Sequence, residues 1–250
     1  MNKYVEICCG SYYDALESYK GGAKRIELNS ALHLGGLTPS LASLKMTKQN
    51  TKLKVICMIR PRGGGFFYNK EDVEVMFADA EILMKNGADG LAFGFLNEDT
   101  TINKALTKDM VELIHKYNGE AVFHRAFDCV RKPGETMKEL IEIGVDRVLT
   151  SGLKEKAWDG RVMLAHLQKE YGDKIEILAG SGINDKNAVK LMNETGIYQI
   201  HSSCKDWLSD PTTSTESVSY SYANFPNENN YDVVSSLKVS TLVGSVLNER

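Results

Sequence analysis

GGAKRIELNSALHLGGLTPS, residues 21–40, is the stretch whose reading decides the fold. The pair Gly21-Gly22 suits a helix end, because the residue just past a helix commonly takes φ > 0, which glycine adopts without a Cβ clash. Arg25 to Asn29 then reads as a strand, with Ile26 and Leu28 on one face and Arg25, Glu27 and Asn29 on the other. Charge on one side of a half-apolar strand needs a partner or a ligand. After a loop containing Gly35 and Gly36, Thr38 can cap a new helix with Pro39 at its first position, where a missing N–H is harmless.

Upstream, Tyr4 to Cys9 alternates, with Val5, Ile7 and Cys9 on one face and Tyr4, Glu6 and Cys8 on the other. Ser11 can cap a helix running through Lys20. Downstream, Leu53 to Ile59 is a near-continuous apolar run, as expected of a parallel strand between a helix layer and a barrel interior. It stops at Arg60-Pro61-Arg62-Gly63-Gly64-Gly65. Val73, Met76, Phe77, Ala80, Leu83 and Met84 then recur at helical spacing up to Gly87. The pattern continues with a strand Gly90 to Phe95, a helix capped by Thr107 and ending near Gly119, and a strand Ala121 to Arg125 with its loop Ala126 to Lys132. Helix Pro133 to Ile143, strand Arg147 to Thr150, helix Arg161 to Tyr171, strand Lys174 to Leu178, helix Asn184 to Asn193 and strand Tyr198 to His201 follow.

Alternation of strands with helices predicts an α/β chain with a parallel sheet, and eight such units predict closure into a single-domain (β/α)8 TIM barrel over residues 1–250. An open doubly wound sheet is the competitor, but no strand here runs into its G-x-G-x-x-G fingerprint. Residues 209–230, rich in Ser, Thr, Asn and Tyr, read as a polar surface excursion. Residues 231–250, with Val233, Leu237, Val239, Leu242, Val243 and Val246, read as a helix closing the barrel.

With 250 residues, 42% hydrophobic and 25% charged, the chain can bury one extensive core. A net charge of −3 gives no electrostatic reason to expect nucleic acid or an anionic membrane as partner. The five cysteines form no C-x-x-C pair, and an odd number speaks against a disulfide framework. Without a basic segment leading into an apolar run at the start, or a long apolar span elsewhere, a cytoplasmic protein is expected.

In TIM barrels the C-terminal strand ends carry function. Polar groups stand there on nearly every unit: Glu6 and Cys8; Glu27 and Asn29; Arg60 and Arg62; Asn97; His124, Arg125 and Asp128; Thr150 and Ser151; Ser181; His201 and Ser202. Glu6, Glu27 and Arg60 either fill the mouth as an ion-pair network or bind a ligand. His124 and His201 sit on inward alternation, where an imidazole serves as acid or base near neutral pH. This constellation suits acid-base chemistry by Glu6, Glu27, Arg60, His124, Asp128 and His201 on a small anionic metabolite. Arg60, Arg62, the turn Gly180-Ser181-Gly182 before a helix and Ser202 would seat the phosphate or carboxylate. Cys8 is the one soft metal ligand on an inward face; Cys57 reads as core, Cys129 as a loop thiol, and Cys204 stands alone. His33 lies in a loop within reach of the mouth, whereas His115 and His166 belong to exposed helix faces.

RIELN with GGLTPS, MIRPRGGGFFY (Met58 to Tyr68), FHRAFD (Phe123 to Asp128), VLTSG and IHSS (Ile200 to Ser203) together resemble the CutC family, named for copper homeostasis, over roughly residues 3 to 203. The resemblance implies a cytoplasmic TIM barrel, a homodimer or higher homo-oligomer, and a copper-related role with Cu(I) as the ion. Two cysteines proposed as Cu(I) ligands in some members fall here at Cys8 and Asn29, so only the first is kept. The family usually has Gly and Asp at Thr100 and Asn103, and a loop richer in glycine around Ser181.

Overall fold

The computed structural model describes residues 3–247. Eight parallel strands, β1 (Tyr4–Cys9), β2 (Arg25–Leu28), β3 (Lys54–Met58), β4 (Gly90–Phe93), β5 (Glu120–Phe123), β6 (Arg147–Thr150), β7 (Glu176–Ala179) and β8 (Gln199–Ser202), close into a barrel in chain order. Seven helices, α1 (Tyr12–Lys20), α2 (Leu41–Asn50), α3 (Lys70–Lys85), α4 (Lys104–Lys116), α5 (Pro133–Ile143), α6 (Arg161–Tyr171) and α7 (Ala188–Thr195), alternate with the strands, and α8 (Ser236–Leu247) covers the seam where β8 pairs with β1. The expected TIM barrel is therefore present.

The period of two along each strand divides the core. Ile7, Cys9, Ile26, Leu28, Val55, Cys57, Phe93, Phe123 and Ile177 face outward and are buried in the main cluster against the helices. Ile56, Met58, Ala92, Val122, Leu149 and Leu178 form a separate apolar cluster inside the barrel. These come from β3 to β7. The β8-β1-β2 side of the interior is ionic instead, because register places Glu6 beside both Arg25 and His201, and Cys8 beside Glu27. Arg147 reaches in from β6 and contacts Glu120 at 2.6 Å, Glu176 at 3.0 Å and Glu6 at 3.7 Å. Arg25 closes the set through Glu6 at 2.6 Å and Gln199 at 2.7 Å.

Several boundaries differ from the sequence reading. Ser40, not Thr38, caps α2 by accepting the Ser43 N–H at 3.1 Å. Thr38 is occupied in tying two strand ends together: its Oγ1 accepts the Arg60 N–H at 3.0 Å and donates to the Arg60 carbonyl at 3.2 Å. Thr107 lies inside α4 rather than at its start, because Asn103 accepts the Leu106 N–H at 3.1 Å and caps it. The strands expected over Leu53–Ile59, Gly90–Phe95 and Ala121–Arg125 end earlier, and after the last of these the chain turns into a short 3-10 helix, Arg125–Cys129, capped by His124. The seventh strand is shifted to Glu176–Ala179, and α7 begins at Ala188 rather than Asn184.

The tail departs most. The polar excursion is bracketed by an antiparallel pair, β9 (Lys205–Ser209) and β10 (Asn230–Val234), so residues 231 to 234 are strand and not the start of the closing helix. The Val234 N–H donates to Asp14 Oδ1 at 2.8 Å, which fixes the pair over α1. Val233 is buried in β10, while Val239, Leu242 and Val246 supply the buried face of α8. The expected helix residues 248–250 lie outside the described residues.

Candidate functional site

At the C-terminal mouth of the barrel is a cavity of about 420 Å³, lined among others by Cys8, Glu27, Arg60, His124, Ser181, Gly182, His201 and Ser202. Seven of the eight barrel strands or their loops contribute, so residues far apart in sequence become neighbours through barrel closure. The volume suits a small ligand.

One wall is a donor cluster. A Cys8 Sγ, a Glu27 carboxylate oxygen and a His201 ring nitrogen all lie within 4.8 Å of one another. Sγ stands 3.9 Å from Glu27 Oε2, and His201 Nε2 stands 3.9 Å from the same oxygen. Glu6 Oε1 lies 2.9 Å from His201 Nδ1, and this contact aims Nε2 into the cavity. Burial opposes the charge on Glu6, but Arg25, His201 and Arg147 outweigh it and hold the carboxyl at about 2. Burial likewise disfavours a charged His201, yet Glu27 and Glu6 lift its pKa above the ordinary histidine value. Burial and the neighbouring Glu6 charge push Glu27 up, against His201 and Asn29. Burial and Glu27 push the Cys8 thiol well up. Asn29 Nδ2 donates to Glu27 Oε2 at 3.0 Å and to Cys8 Sγ at 3.6 Å.

The other wall carries Arg60 and His124. The Arg60 guanidinium donates to the carbonyls of Leu34 at 2.9 Å, Gly36 at 3.1 Å and Gly64 at 2.5 Å, with Phe66 5.2 Å away beneath it. His124 Nδ1 accepts the Ala126 N–H at 3.1 Å. Burial and then the Arg60 charge lower the His124 pKa to about 3, so the ring is neutral at physiological pH. Gly94 makes room for it, since a Cβ there would stand 2.7 Å from His124 Cε1.

Other sequence candidates have structural engagements. Asp128 does not line the cavity: it accepts from Thr150 Oγ1 at 2.5 Å, Ser151 Oγ at 2.9 Å, the Ser151 and Leu153 N–H groups, and Arg125 Nε at 2.7 Å. Arg62 turns away to Asp72 Oδ2 at 2.8 Å and the Phe67 carbonyl. Asn97 braces its own loop through Thr101 and Ile102. Gly180 gives its N–H to the Thr150 carbonyl, and its inward face has no room for a Cβ beside Leu149. Ser181 and Gly182 do reach the cavity, but the Ser181 and Ser202 hydroxyls donate to the Glu155 and Ile183 carbonyls. With α7 starting at Ala188, the helix N-terminus expected at this turn lies further along the chain. Cys57, Cys9 and Cys204 are buried, and Cys129 is exposed. His33 stacks on Tyr222 at 4.8 Å rather than lining the main cavity.

The sequence reading missed Phe66, Lys205 and Asp232, all of which line the cavity. Lys205 and Asp232 pair at 3.2 Å across β9 and β10. The alternating NYDVV and KDWLS segments carried that signal, obscured by the polar residues between them.

A sequence model described as the CutC family matches residues 3–206. A CutC family protein of Treponema denticola is 42% identical over 98% of this chain and 99% of its own length. A mouse protein named copper homeostasis protein cutC homolog is 40% identical over 80% of this chain and 73% of its own length. A solved CutC structure from Streptococcus agalactiae superposes with a TM-score of 0.76 at 27% identity, covering 80% of this chain and 98% of that one. No described helix is long and apolar enough to cross a membrane. The motifs, the barrel and these relatives agree, and the chain belongs to the CutC family of copper homeostasis proteins.

Proposed function

We propose that this protein binds a copper ion at the barrel mouth, with Cys8 Sγ and His201 Nε2 as principal donors and Glu27 as the third. The observation that carries the reading is the close grouping of these three donors within 4.8 Å. The chemistry of the set fits: a thiolate and an imidazole are donors that copper accepts, and a carboxylate adds negative charge for the cation. Glu6 supports it further, since metal-ligating histidines usually have their second nitrogen held by a carboxylate or carbonyl. His201 would thereby supply what Asn29 cannot at the family's second cysteine position. Burial keeps the Cys8 thiol protonated without a cation, so uptake would release that proton. Five free cysteines also fit a reducing compartment, in keeping with a cytoplasmic location.

The test is competition for Cu(I) against a chromophoric chelator under reducing conditions. Cys8→Ala and His201→Ala are each expected to lower affinity by at least about tenfold, the lower end for loss of a metal-site interaction. Unchanged affinity in Cys8→Ala would reject the reading. Tighter binding of Zn(II) by the same donors would assign the cluster to a different ion.

A further inference from the structure

We infer that the Arg60 and His124 wall of the mouth is a binding subsite for a small organic oxyanion, separate from the Cys8, Glu27 and His201 donors. Arg60 is 6% exposed and has no carboxylate within ion-pair distance among the described residues. Its hydrogen-bonded partners are three neutral carbonyls, the Tyr68 hydroxyl beside it is likewise uncharged, and its Nε is buried without a hydrogen bond of good geometry. A buried cation ordinarily has a counter-charge, so this one points to an anion supplied from outside the chain.

His124 adds a second donor by a different route. The Ala126 N–H donates to Nδ1, which leaves the proton of the neutral ring on Nε2. That Nε2 is also buried and unpartnered. The protein therefore presents, in residues lining one cavity, a cation whose only acceptors are uncharged and a neutral ring whose Nε2 donor is unmet, with no counter-anion for either among the described residues. A carboxylate or phosphate oxygen is the partner both can use.

The surroundings favour an organic acid over a bare inorganic ion. Leu32, Met58, Phe66, Leu149 and Ile183 line the same cavity, whose volume of about 420 Å³ exceeds what an isolated oxyanion fills. The Phe66 ring lies 5.2 Å from the Arg60 guanidinium carbon and 4.9 Å from the His124 ring, so it covers both groups. It is carried just after Gly63-Gly64-Gly65, a segment whose backbone freedom lets the ring lie there.

The test is thermal-shift and calorimetric titration of metal-free protein, kept so with a chelator, using acetate, butyrate, benzoate and inorganic phosphate against chloride at matched ionic strength. Saturable stabilisation by the carboxylates, increasing from acetate to benzoate, is the expected result. Phosphate binding as tight as benzoate would retain the oxyanion site and overturn the preference for an organic body. His124→Phe, which keeps a flat ring and loses the donor, should weaken carboxylate binding by about tenfold to a hundredfold, and His124→Gln, which restores an N–H, should recover part of it. No saturable effect beyond chloride, or equal binding by His124→Phe, would overturn the inference. Because no metal is present, failure here leaves the copper reading untouched, and loss of Cu(I) binding in Cys8→Ala leaves this one untouched.

Discussion

Glu6 Oε1 stands 2.9 Å from His201 Nδ1 across the seam where β8 closes onto β1. The same carboxylate faces Arg25 at 2.6 Å and Arg147 at 3.7 Å, so it neutralises two buried guanidinium groups while orienting one imidazole. Glu6→Gln keeps the shape and removes the charge. Leaving those cations undercompensated is expected to lower stability by about 3–5 kcal/mol, read from urea unfolding. A midpoint equal to wild type would show that the network contributes nothing to the fold.

Asn29→Cys places a second thiol beside Cys8, on the position from which the amide now contacts Sγ at 3.6 Å. A second soft ligand is expected to raise Cu(I) affinity by about tenfold or more, measured by chelator competition. No gain would indicate that Cys8 is not a ligand in the unaltered protein.

The acid side of the stability profile should carry a histidine signature. His124 has a pKa of about 3 when folded and about 6.5 when exposed. Between these values the unfolded chain binds a proton that the folded chain refuses, so stability falls as pH falls, by about 1.4 kcal/mol per pH unit. Glu6, held at about 2 against 4.5, has the same sign and adds to the loss below pH 4.5. His201 and Glu27, both raised, have the opposite sign: their contributions are present at lower pH and fade as pH rises through their folded values. The diagnostic quantity is therefore the difference between wild type and His124→Phe. It should slope against wild type as pH drops below 6.5, and parallel curves would mean that His124 is accessible to protons.

Thr100 adopts φ +67° and buries a hydroxyl that has no partner among the described residues. Both features are unfavourable for a β-branched side chain, and glycine removes both. Thr100→Gly is expected to stabilise the protein by about 1–2 kcal/mol, with Tm rising by about 2–8 °C. A lower Tm would show that the threonine methyl packs more favourably than its backbone is strained.

The placement of Thr100 also shows where a sequence pattern speaks clearly. Its position in the fourth-strand loop, where relatives were expected to carry glycine, coincides with a left-handed backbone. Helices α1, α5 and α6 and strands β1 and β6 were legible to the residue, because their caps, glycines and apolar spacing act over a few neighbours. Thr38 and Thr107 misled for a reason outside that range. Both have the chemistry of a cap, but the first bonds to the end of β3 and the second is buried within α4.

The candidate site divides along the same line. That Glu6, Cys8, Glu27, His124 and His201 face a barrel interior follows from alternation alone, a property of each strand by itself. Asp128 and Arg62 looked equally suitable, yet their side chains turn to Ser151 and Asp72, partners set by loop packing. Lys205 and Asp232 enter the cavity only because a hairpin folds back over the mouth. Local periodicity thus determined the strands, the helices and the inward faces. Which inward groups meet, which are neutralised by a neighbour, and which are left with an unmet charge or donor were decided by barrel closure and strand register, since ion pairing and burial depend on groups remote in the chain.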